Sequence, residues 1–190
     1  MANSTKVCTR LVRFSYVSVF EPRKVEGSDE AEYSVTLLIP KSDTITIQAI
    51  KAAMAEAREA FCKKNGSSAL PAKPVHTLHD GDGLKDSGEP YGEECKGCWV
   101  ISVRSKKPVK IIDQNKQPIT DPEVLYSGCY GQAVINFYGY NRNGRKGISA
   151  SLMGLRKIKD GERLSGSVCS DDDFDDASVA DDLGSDENWM

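Results

Sequence analysis

The chain has 190 residues, 39% of them hydrophobic, which suits one domain plus a tail; no apolar run reaches the roughly 20 residues of a membrane helix, and the opening MANSTKVCTRL lacks a signal peptide's apolar core. Six cysteines (Cys8, Cys62, Cys95, Cys98, Cys129, Cys169) then read as reduced thiols of a cytoplasmic protein rather than as a disulfide framework. The net charge of −3 is segregated: residues 171–190 hold nine acids and no Lys or Arg, leaving the body 25 bases against 19 acids, about +6, which suits a polyanionic partner.

Residues 7–20 alternate as a strand, with Val7, Thr9, Leu11 and Arg13 on one face and Cys8, Arg10, Val12 and Phe14 on the other; Glu21-Pro22 should end it. Residues 26–32 read as a polar loop and Tyr33 to Ile39 as a second strand closed by Pro40. Ser42 or Asp43 is placed to cap an amphipathic helix over 44–64, with Ile47, Ile50, Met54, Ala57 and Phe61 inward and Gly66 as its stop. Residues 65–94, rich in Pro and Gly, read as one long loop. Strands follow at 98–104, 109–113, 131–140 and 147–153, the last two joined by a tight Asn143-Gly144 turn. Strands, one helix, then more strands point to a mainly β, OB-fold-like antiparallel barrel over residues 1–165. The acidic segment 166–190 reads as a disordered C-terminal tail.

The chemistry concentrates in Tyr126 to Lys146, YSGCYGQAVINFYGYNRNGRK, with five aromatics and three cations. Alternation assigns Ala133, Ile135 and Phe137 to the core and Tyr138 and Tyr140 to the opposite face, a platform on which bases can stack. Tyr126 and Tyr130 are further candidates. Arg142, Arg145 and Lys146 at the turn, and Arg104, Lys106 and Lys107 in a basic connector, are candidate phosphate contacts. In the tail, Asp171, Asp172, Asp173, Phe174, Asp181, Asp182 and Trp189 form an acidic, aromatic-punctuated segment fit to dock on a basic groove or a partner protein.

His76-x2-His79 and Cys95-x2-Cys98 have zinc-type spacing, and a zinc-stabilised nucleic-acid-binding protein is the rival reading; ordinary loop histidines and a strand cysteine explain the same residues. A zinc deaminase would need His-x-Glu and Pro-Cys-x-x-Cys. A Cys-x-x-Cys redox site should open a helix, whereas this pair leads into a strand. There is no phosphate-binding Gly-Lys-Ser/Thr loop and no G-x-S-x-G elbow. The expectation is therefore a protein without catalytic residues, metal ligands or cofactor.

The stretches Ser18–Pro22, Tyr33–Asp43, Asp80–Asp82, Tyr126–Gly131 and Asn136–Tyr140 with Asn143-Gly-x-Lys-Gly147 resemble the phage single-stranded DNA-binding proteins long classed as a domain of unknown function. The resemblance implies an OB-fold that binds single-stranded DNA without sequence preference in phage replication and recombination, inside a bacterial host cell. It further implies a homodimer whose acidic tail recruits replication proteins such as DNA polymerase, primase or helicase and competes with DNA. A single-strand annealing protein is the alternative within this reading.

Overall fold

The computed structural model describes residues 4–24 and 29–164. In chain order the described elements are β1 (Lys6–Cys8), β2 (Val12–Lys24), β3 (Ala31–Pro40), α1 (Thr44–Asn65), β4 (Val75–His76), β5 (Leu78–Asp80), a 3-10 turn (Glu93–Cys95), β6 (Cys98–Ser105), β7 (Lys110–Ile112), β8 (Tyr130–Arg142) and β9 (Arg145–Lys159). The expectations for residues 166–190, including the tail residues Asp171 to Trp189, lie outside the described residues.

Five strands close a ring. β2 pairs with β3, β3 with β6, β6 with β9, β9 with β8, and β8 returns to β2. This is the five-stranded circuit of an OB-fold, as the strand pattern led one to expect. The ring is antiparallel except at one seam, where β6 and β9 run parallel through the pair Arg104–Ser151. Next to that pair, β4 and β5 fill the seam: Val75 and His76 pair with Gly147 and Ile148 of β9, and Leu78 to Asp80 pair with Ile101 to Trp99 of β6. The expected long loop 65–94 therefore supplies two barrel pieces. Elements of two and three residues carry no readable alternation.

The single strand read over 7–20 is two strands. β1 breaks off after Cys8, and β2 continues through Glu21-Pro22 to Lys24. Pro22 is tolerated in an irregular stretch between the paired residues Ser18 and Arg23. β3 likewise starts at Ala31, inside the expected loop. Between the pairs Ser15–Thr36 and Ser18–Ser34, β2 carries one residue more than β3, which is a bulge. Tyr16 lies in it at φ 46°, a left-handed conformation that costs a non-glycine residue about 1–2 kcal/mol. Continued alternation from Val12 and Phe14 would bury Tyr16; the bulge turns it out to 69% exposure.

Leu37 and Ile39 of β3, Ile101 and Val103 of β6, Ala133, Ile135 and Phe137 of β8, and Leu152 and Leu155 of β9 meet in one core. α1 lies on it through Ile47, Ile50, Ala53 and Ala57, with Met54 and Phe61 packed alongside. The helix starts where Asp43 Oδ1 accepts the Thr46 N–H at 3.1 Å and stops at Gly66, φ 107°. Asp43→Ala should lower stability by about 1 kcal/mol. That is a fall of roughly 2–4 °C in melting midpoint for a chain of this size; an unchanged midpoint would show that the cap contributes nothing.

Candidate nucleic-acid interface

The β8–β9 hairpin positions the aromatic face. Asn143 at φ 50° and Gly144 at φ 78° make the tight turn that two positive-φ residues allow, and it sets the register Arg142–Arg145, Tyr140–Gly147, Tyr138–Ser149. Val134, Asn136, Tyr138 and Tyr140 face away from the buried Ala133, Ile135 and Phe137, as alternation requires. Tyr138 stands opposite the small Ser149 and is 44% exposed. Tyr140 is half-buried because its ring lies over the bare backbone of Gly147, where a Cβ would stand 2.9 Å from the tyrosine oxygen. Beneath them, Phe61 of α1 packs on Gly139, so this end of β8 is held from the core side.

Two adjoining hollows, about 560 and 660 Å³, form one groove here and share Glu32, Thr77, Lys106, Tyr138, Arg142 and Ser149. The first extends to Tyr140 and His76; the second extends to Arg104 and Lys107. The structure thus brings together Tyr138, Tyr140, Arg142, Arg104, Lys106 and Lys107, which lie on two separate segments of the sequence. Arg145 and Lys146 are exposed at the hairpin tip and line neither hollow.

Sequence reasoning missed two acids that pair with the groove's cations. Glu32 lies 3.7 Å from Arg104, and Glu30 is ion-paired with Lys106, whose ammonium holds the Glu30 carboxyl below its usual pKa. The Glu30–Lys106 pair is exposed and contributes little to stability, whereas Glu32 is only 21% exposed beside Arg104. Thr77 was missed as well; its hydroxyl donates to the Ser102 carbonyl at 3.2 Å and places β4–β5 in the groove floor.

Tyr126 and Tyr130 are not brought into this groove. Tyr130 pairs with Lys159, eight residues along β8 from Tyr138, roughly 26 Å at strand rise. Its ring is flanked by Arg13 at 5.5 Å and Lys159 at 4.8 Å. Tyr126 is flanked by Arg163 at 4.2 Å and Lys157 at 5.5 Å. Its hydroxyl lies 3.0 Å from both Asp160 Oδ1 and the Gly161 carbonyl. Burial first, then the Asp160 carboxylate, push that hydroxyl's pKa up. Both rings pack the segment after β9 onto the barrel.

The zinc spacing does not become a cage. Among the described residues no three His, Cys, Asp or Glu side chains converge as a metal site needs. His76 lines the groove, His79 pairs across to Val100, and Cys95 is buried against Leu38 and Val100. The five described cysteines are free thiols, and no described helix is long and apolar enough to cross a membrane.

The family described as Enterobacter phage Enc34, ssDNA-binding protein, matches residues 5–184. Protein p50 of Acyrthosiphon pisum secondary endosymbiont phage 1 is 34% identical over 180 residues, covering 92% of this chain and 95% of that protein. The solved single-stranded DNA-binding protein from bacteriophage Enc34 in complex with ssDNA superposes with a TM-score of 0.69 at 28% identity, covering 87% of this chain and 95% of that one. Gp2.5, a single-stranded DNA-binding protein encoded by bacteriophage T7, superposes with a TM-score of 0.58 over 87% of this chain and 97% of that one; at 13% identity it supports the fold alone.

Proposed function

Because this chain belongs to the phage family of the Enc34 ssDNA-binding protein, we propose that its groove binds single-stranded DNA without sequence preference, as a binding protein and not as an enzyme. The observation that carries the reading is the convergence of Tyr138 and Tyr140 with Arg104, Lys106, Lys107 and Arg142 along one open groove. Tyrosine faces stack any base, and a row of cations tracks a backbone whatever its sequence. Arg145 and Lys146 extend that row at the tip. The position agrees with the OB-fold rule that strands 2 and 3 of the circuit, here β3 and β6, and the loop between strands 4 and 5, here the Asn143-Gly144 turn, carry the ligand.

In this reading the protein covers DNA during phage replication and recombination as a homodimer, which the resemblance supports. The acidic tail recruits replication proteins and competes with DNA, which the charge contrast between residues 171–190 and the body supports. A gel shift with single-stranded DNA, duplex DNA and RNA, repeated across salt, tests it. Single strands should be preferred, and log affinity should fall with log salt at about −0.7 per phosphate contact, or about −4 if all six cations engage. Removing residues 166–190 should tighten binding at low salt. A flat salt response would remove the phosphate contacts from the reading.

A further inference from the structure

The groove does not end at Arg104. Ser102, which lines it, also lines a third hollow of about 250 Å³ on the outer face of β3 and β6. Two aromatic side chains wall that hollow, Tyr16 from the β2 bulge and Tyr91 from the segment between β5 and β6. Between them Thr36 and Ser102 place their hydroxyl oxygens 3.2 Å apart across the strands. Tyr91 is held in place by packing on the cluster of Leu38, Cys95 and Val100, and Lys85 stands 5.8 Å from its ring.

Tyr16 forms the opposite wall of this hollow. It is the most exposed described tyrosine, and it holds a backbone conformation that a tyrosine adopts only under constraint. The bulge brings Val17 and Val19 to the core and lets the Val17 N–H donate to Ser127 Oγ at 3.0 Å; it also presents the Tyr16 ring to solvent at a conformational cost, where burial beside Phe14 would gain apolar contact. Strain of this kind concentrates where a ligand is met, and bulges re-aim side chains at such places.

We propose that Tyr16, with Tyr91, forms a second base-stacking post for the same DNA strand, at the far end of a track that starts at Tyr138. The proposal rests on the groove binding single-stranded DNA. Following the ring from β2 through β3, β6 and β9 to β8 crosses four inter-strand spacings, so the track over the barrel surface from one post to the other is roughly 19 Å long. The hydroxyls of Thr36 and Ser102 line the track between the posts and offer donors and acceptors to base edges of any identity.

The test uses the full chain and thymidine oligonucleotides of two lengths, one too short to span the posts and one of about 12 nucleotides, within the footprint of one OB-fold. Tyr16→Gly removes the ring and suits the positive φ, so its melting midpoint should equal or exceed wild type. It should lose about tenfold or more in affinity for the longer oligonucleotide, keep wild-type affinity for the short one, and regain the loss in Tyr16→Phe. Wild-type affinity of Tyr16→Gly for the longer strand, while Tyr138→Ala is weakened, overturns the second post and leaves the groove standing. Wild-type affinity of both variants overturns the groove reading as well. An independent readout is photocrosslinking of wild-type protein to an iodouracil-substituted strand: adducts on Tyr16 or Tyr91 support the post, and adducts confined to the Tyr138 end overturn it.

Discussion

Tyr138→Ala is expected to weaken single-stranded DNA binding by about 1–3 kcal/mol, roughly 5- to 150-fold, while leaving the melting midpoint where it was. The two halves of that expectation come from the same geometry. The ring is 44% exposed and faces Ser149, a residue too small to cover it, so its removal opens no cavity. The face it leaves bare is the one a base would occupy. Tyr140 makes an instructive contrast, because its ring already lies on Gly147; truncating it should cost fold stability as well as affinity. Anisotropy titration of the Tyr138 variant, beside a melt of the same sample, separates the effects. Wild-type affinity in a fully folded Tyr138→Ala protein would rule out stacking at this position.

One residue earlier along β8 the expectation inverts. Phe137 is 1% exposed and belongs to the core with Ile135 and Leu152. Phe137→Ala should cost about 3–5 kcal/mol, since the lost transfer energy is joined by a cavity that rigid neighbours cannot fill. For a chain of this size that is a fall of roughly 6–20 °C in melting midpoint. DNA affinity measured well below the new midpoint should be close to wild type, because the ring does not reach the groove. A loss of stability under about 1 kcal/mol would mean that the side chain is not packed as described.

Neighbouring residues with opposite expectations show what was legible from sequence. The stretch 131–140 was readable because alternation is local and the Asn-Gly turn fixes the register of both strands. The helix was readable because its inward positions recur at helical spacing and Asp43 and Gly66 mark its ends. Alternation carried over 7–20 failed at Cys8, where β1 ends, and again at the bulge around Tyr16, because one extra residue moves every later side chain to the other face. The groove's outline was only half legible. Arg104, Lys106 and Lys107 were singled out as a basic run, but that they would meet Tyr138 depends on a parallel seam between distant segments. Glu30, Glu32, Thr77 and Tyr91 carry no local signal, since each gains its place only through pairing or packing with a remote strand. Tyr126 and Tyr130 illustrate the converse: proximity in sequence to Tyr138 suggested one site, whereas strand rise carries Tyr130 to the other end of the ribbon and Tyr126, just before the strand, bonds to Asp160 and Gly161 there.

The seam itself has a thermodynamic consequence. β6 and β9 are joined directly at Arg104–Ser151, and the remainder of the gap is bridged by β4 and β5. The groove straddles this join: Arg104 and Lys106 come from or follow β6, Thr77 from the insert, and Tyr138 and Ser149 from the β8–β9 side. Contacts between such distant parts of a chain are the slow ones to form. A ligand held by both lips would clasp the barrel across this join, and its binding and the closure of the ring would draw on one shared free energy. At a ligand concentration a hundredfold above its Kd, that linkage amounts to about 2.7 kcal/mol, on the order of a buried side chain supplied from outside the chain.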